Sequence, residues 1–230
     1  MFTAVALLMV AVVQIAKIDA SRVNPDSETM LHYSQPDMAI HNQAKRDFLL
    51  WNQLFIAFIC ESCEKGALNP EVLNFGREMV KYLGTLGLKG EGVYAPDIGS
   101  PSTFETIYHK DGIRKREAIH KGVLTTQQEA DLVRHNLMKN PLLYGTIIDK
   151  TGSKFGMGVP VQNKARAYEI MQEMQVWIDE NKPKNLVSQS GDPVELQVLV
   201  SGMVAAHAIF SYEMYMVLMY MSPFVFLWMT

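Results

Sequence analysis

An α+β fold is the class this 230-residue sequence predicts, on three observations. Two apolar, β-branched segments, Leu143 to Ile148 and Phe155 to Val161, flank Asp149-Lys150-Thr151-Gly152, the turn chemistry of a short hairpin. In the second segment Phe155, Met157, Val159 and Val161 alternate with Gly156, Gly158 and Pro160, the period of a sheet with one covered face. A helix follows at once, with Asn163 as its cap, Ala167, Met171, Met174 and Ile178 on one side, and Pro183 barring continuation. Two antiparallel strands backed by an amphipathic helix are half of a sandwich, so the other half belongs upstream.

In chain order, Phe2 to Ala16 is apolar except for Thr3 and Gln14, short for a span of roughly 20 residues. A cleaved signal peptide needs a basic start and a small-residue cleavage site, and Ala16-Lys17-Ile18-Asp19-Ala20 is a poor one, so residues 1–18 read as an uncleaved membrane helix. Turn and cap residues at Asn24-Pro25-Asp26-Ser27-Glu28 and Ser34-Gln35-Pro36-Asp37 precede a helix over His41 to Phe48. Leu54 to Cys60, a continuous apolar run, predicts a buried strand. Asn69-Pro70 is a cap with proline at the first helical position, and Leu73, Val80 and Leu83 mark the inner face of a helix ending at Gly84 and Gly87.

A short strand near Val93, the later hairpin and helix, and a last strand near Leu186 to Gln189 complete a split β-α-β order, the ferredoxin-like arrangement. A helical insertion, about residues 98–141, interrupts it. Its firmest element follows Leu124, where Thr125 and Thr126 stand three residues before Gln128 and Glu129 in two overlapping capping boxes. Ala130, Val133 and Leu137 share a face, and Asn140-Pro141 ends the helix. The charge run Arg114 to Glu117 reads as a solvated face.

All Lys and Arg lie between Lys17 and Lys184, leaving both ends apolar. Met214 to Met229 therefore reads as a second membrane helix, within a tail over 201–230, and places 19–200 between two spans as one extramembrane domain. A net charge of −3 supplies no basic field for nucleic acid. Nucleophile elbows, phosphate loops and paired carboxylates do not appear in the sequence, so neither catalytic nor cofactor-binding residues are assigned and an enzyme is not expected.

Cys60-Glu61-Ser62-Cys63 has disulfide, redox or metal spacing, and a disulfide, two free thiols and a metal or redox role all stay open. Zinc would need a second pair, which is absent, and no metal ligands are assigned. His109, His120 and His135 read as surface or hydrogen-bonded side chains rather than ligands. Met174, Met203, Met214, Met216, Met219, Met221 and Met229 suit adaptable apolar packing. Met214, Tyr215, Met219, Tyr220, Pro223, Phe224 and Trp228 are the candidate contacts with membrane lipid or partner subunits.

Strings spread along the chain carry a resemblance. They include Asn69-Pro70-Glu71-Val72-Leu73, Ile107-Tyr108-His109-Lys110-Asp111-Gly112-Ile113, Gly122-Val123-Leu124-Thr125, Asn140-Pro141-Leu142, Gly145-Thr146, Ala167-Tyr168-Glu169-Ile170-Met171 and Gly191-Asp192-Pro193-Val194. In order and spacing they resemble the N-terminal part of a resistance-nodulation-division (RND) exporter of the MMPL-like type. The resemblance implies a periplasmic porter domain at a bacterial inner membrane, between the first two membrane helices. A complete exporter also has a proton relay on central helices that these residues do not include. Glu213, at the start of the second apolar stretch, reads as an interfacial carboxylate. The expectation is an accessory subunit of a larger membrane complex. The alternatives are the N-terminal fragment of a full exporter of hydrophobic molecules, or a periplasmic sensor that binds a hydrophobic small molecule.

Overall fold

The computed structural model describes residues 36–47, 52–87, 91–110, 113–120, 122–188 and 190–229. The first expected membrane helix, 1–18, lies outside them. Helix α1 spans Pro36–Asp47, earlier than the expected His41 to Phe48, because proline suits a first turn and Asp37 favours its positive end.

Strand β1 (Asn52–Ile59) is central. It pairs antiparallel with β4 (Lys154–Val161) on one side and β5 (Gln197–Ser201) on the other, setting Ile56 opposite both Met157 and Val200. Beyond β4, the segment after α2 (Pro70–Thr85) adds two isolated antiparallel bridges, Val93 to Val161 and Gly99 to Gly158. Across the sheet the order is therefore β5, β1, β4 and the 93–99 segment, a split β-α-β arrangement. The continuous apolar run of β1 predicted burial on both faces. Instead Leu54, Ile56 and Phe58 are buried while Phe55 is 46% exposed, since the helices cover one face.

An aromatic ladder crosses that covered face. Phe155 of β4 stacks on Phe58 of β1 at 4.5 Å, and Phe58 meets Phe75 of α2 edge-on at 5.9 Å. Phe75 and Tyr82 of α2 both stack on Trp177 of α4 (Ala167–Asn181), at 5.3 and 5.2 Å. The inner face of α4 is Ala167, Ile170, Met174 and Ile178, with the expected Met171 only partly buried. Helix α2 starts where the sequence says: Asn69 Oδ1 accepts from Val72 N at 2.9 Å, and Pro70 follows the cap.

The insertion holds a hairpin, β2 (Glu105–Lys110) with β3 (Ile113–Ala118), that the charge run gave no reason to expect. Arg116 pairs with Glu105 across it at 2.8 Å. Helix α3 (Gln127–Lys139) forms one capping box, between Thr126 and Glu129. The second expected box does not form, because Thr125 also donates to Glu129. These backbone hydrogen bonds, from Thr125 first and then Thr126, hold the Glu129 carboxyl below its usual range. Asn74 of α2 makes two reciprocal bonds with the backbone of Leu124, at 2.8 and 2.9 Å, and so anchors the insertion to the core.

Three expected elements are corrected. Leu143 to Ile148 is not a strand: the amides of Thr146, Ile147 and Ile148 all turn onto the Leu143 carbonyl, and only Ile148 bridges to Phe155. Leu186 to Gln189 is not the last strand, since Val194 N returns to Leu186 O in a tight loop and β5 takes the sheet edge. The third correction concerns the second membrane span, over Met214 to Met229. Helix α5 (Met203–Met229) has 27 residues, yet no described helix is both long and apolar enough to cross a membrane. His207, Ser211, Tyr212, Glu213, Tyr215 and Tyr220 dilute its apolar character, and its first turns pack against the domain. The α+β class stands without a second transmembrane helix.

Candidate functional site

Helix α5 presents two unequal surfaces. Val204, Ala205, Ala208 and Ser211 are buried, and Tyr212 stacks on Tyr168 of α4 at 4.3 Å. Burial, then Tyr212 and Glu213, push the Tyr168 hydroxyl above its ordinary range. The remaining surface is exposed and apolar. Of the residues expected there, Met214, Tyr220 (65% exposed) and Trp228 (91%) are exposed, while Tyr215 and Met219 are half-buried. The side chains of Pro223 and Phe224 lie outside those described. Ile209, Phe210, Val217, Leu218 and Met221 extend the same surface.

A groove lies between the β2–β3 hairpin and α3. Two adjoining cavities of about 370 and 500 Å³ share Thr106, Glu117 and Asn136, with Leu132 and Val123 beside the first and Lys139 beside the second. A third cavity, of about 310 Å³, opens at the N-terminus of α2, and Cys63 forms part of its wall. Cys60 and Cys63 are joined by a disulfide, with Cα atoms 5.4 Å apart and both side chains buried. A cross-link over so short a loop adds only about 2 kcal/mol by chain entropy.

The candidate histidines do not converge. His135 of α3 is exposed, and the side chain of His109 lies outside those described. Among the described residues no cluster of His, Cys, Asp or Glu is arranged to hold a metal. His120 is 3% exposed, and neither ring nitrogen has a hydrogen-bond partner. Burial, then the Arg77 charge, lower its pKa below the ordinary 6.5, and the nearby Gly122 backbone offsets only part of this.

The fold therefore holds His120 neutral, whereas the unfolded chain takes up a proton below about pH 6.5. Its contribution to stability is present at neutral and higher pH and falls as the pH drops through that value. Denaturant midpoints measured from about pH 7.5 to about pH 5 should decline for the native sequence and decline less for His120→Leu. Equal slopes would remove His120 as the cause.

The molecule so defined is an α+β domain with a disulfide beside a cavity of mixed polar and apolar lining and one helix carrying uncovered apolar surface. No protein-family model matches the chain, and comparison with curated proteins finds no significant match. The exporter resemblance thus rests on the residue strings alone.

Proposed function

We propose that this chain is a porter-type domain, similar to those of RND/MMPL-like exporters, that serves as an accessory component of a larger membrane-associated assembly. The observation that supports this is the outer surface of α5. A helix with this much apolar surface is normally a covered one. Here one side alone is covered, and Phe210, Leu218, Tyr220 and Trp228 stay exposed. Contiguous uncovered apolar surface of this kind marks a contact site. Its matching partner is an apolar helix surface on an integral membrane subunit, with lipid at the margin, and the resemblance implies the periplasmic side of a bacterial inner membrane.

Native-gel migration after gentle detergent extraction tests this. The chain should run in a complex much larger than its 25.9 kDa. Phe210→Glu combined with Leu218→Glu should release it at its own mass with its circular dichroism unchanged. A native chain that already runs alone would defeat the reading.

The groove favours a second reading, a domain that captures a hydrophobic small molecule beside Val123 and Leu132. That reading requires the isolated chain to bind an apolar fluorescent probe, and Leu132→Asp to abolish the binding.

A further inference from the structure

We propose that the Cys60–Cys63 disulfide is a thiol–disulfide exchange site, with Cys63 the sulfur attacked and a small zwitterionic peptide thiol the co-substrate. Three observations carry this. The bridge spans three positions, a short separation that removes little freedom from the unfolded chain, so it is a weak staple for a domain already holding a large core. Its two halves are anchored independently: Cys60 N donates to Ser153 O at 3.0 Å, whereas the Cys63 carbonyl accepts from Gly66 N at 3.1 Å and Cys63 bridges to Ser188. Opening the sulfur–sulfur bond therefore leaves both residues placed to close it again.

Access is the third observation. Cys63 borders the 310 Å³ cavity and Cys60 does not. Lys65, Glu64 and Glu71 supply charges of both signs around that space, and Asn69, Gln127 and Asn185 supply amides. Pro70, Leu124, Leu186 and Val187 supply the apolar part of the wall, and the charges of both signs suit a small thiol that bears carboxylate and ammonium groups.

The exchange balances as follows. A thiolate RS⁻ attacks the Cys63 sulfur, Cys63–S–S–R forms, and the electron pair of the broken bond goes to Cys60, which takes a proton from water. A second RS⁻ attacks the R sulfur of the mixed disulfide, releasing RSSR and the Cys63 thiolate, which is protonated in turn. Two RSH are oxidised and the protein disulfide is reduced by two electrons. The reduced pair runs the same steps backwards on RSSR.

The test uses the folded full chain and reduced glutathione, followed by acid quenching, iodoacetamide alkylation and peptide mass mapping. Cys60 and Cys63 should both become alkylated without denaturant, at a rate that rises with pH as glutathione ionises. In Cys60→Ser, oxidised glutathione should form a mixed disulfide on Cys63 several times faster than it reacts with Cys60 in Cys63→Ser. Resistance of the native sequence until denaturant is added, or equal reaction of the two variants, overturns the proposal. Where a variant does not fold, the native-sequence result decides alone.

Discussion

Replacing Phe58 with alanine should cost about 3–5 kcal/mol of folding stability, measured as a drop in the denaturant midpoint at unchanged m-value. Phe58 is fully buried near the C-terminal end of β1, between the ring of Phe155 on the neighbouring strand and the edge of Phe75 on α2. Its loss removes the apolar contact itself and also leaves a cavity that β1 cannot collapse to fill, because both its edges are hydrogen-bonded to other strands. Phe58→Leu keeps most of the volume and should cost less than half as much. A loss below about 1 kcal/mol for alanine would show that the ladder does not organise the core.

The second large effect is expected at Gly66, where alanine should destabilise the domain by about 2–4 kcal/mol. Two costs coincide there. The backbone sits at φ +69°, the left-handed region that a Cβ disfavours. The added carbon would also stand 2.5 Å from the Gly152 carbonyl oxygen and 2.8 Å from the Ser153 Cα. Those are backbone atoms of the 149–153 turn, whose Asp149 carboxylate accepts hydrogen bonds from Thr151, Ser153 and Lys154, so they cannot swing aside like a flexible side chain. Gly145 is the control. It has a similar φ of +79° but nothing within 4 Å of its missing Cβ, so Gly145→Ala should pay only the backbone cost, about 1–2 kcal/mol. Equal losses at the two positions would refute the close-approach argument.

Local signals were legible where a side chain caps a helix. Asn69 and Thr126 cap their helices by bonds to residues three positions on, and such bonds are set by spacing along the chain. The alternation of β4 holds only in its first half, where Phe155 and Met157 are buried beside half-buried Lys154 and Gly156; from Gly158 to Val161 both sides are covered. The β2–β3 hairpin was missed although Asp111-Gly112 is a two-residue turn signal in the sequence, because Glu105 to Ala118 carries charge at both alternating sets of positions and shows no apolar period. β5 was obscured by the apolar run that follows it, although Val198 and Val200 alternate with exposed Leu199. At the candidate site, the spacing of Cys60 and Cys63 and the apolar character of α5 were visible. Phe210 and Ile209 were missed because they fell within the assumed lead-in to a membrane span.

By itself, then, the sequence determined the α+β class, the starts of α2 and α3, the pairing-competent β4 and the absence of a basic field. Each follows from residues close together in the chain or from composition. Helix α1, by contrast, begins earlier than expected, and Asn163 caps a short turn ahead of α4 rather than α4 itself. Tertiary structure alone decided which strand takes the sheet edge, which face of β1 is covered, where His120 loses its water, and which cysteine of the disulfide borders a cavity. It also decided that the start of α5 belongs to the domain: the Tyr212 ring stacks on Tyr168, and that contact joins residues 44 positions apart. Solvent exposure is a property of what neighbouring segments cover, and no local pattern encodes it.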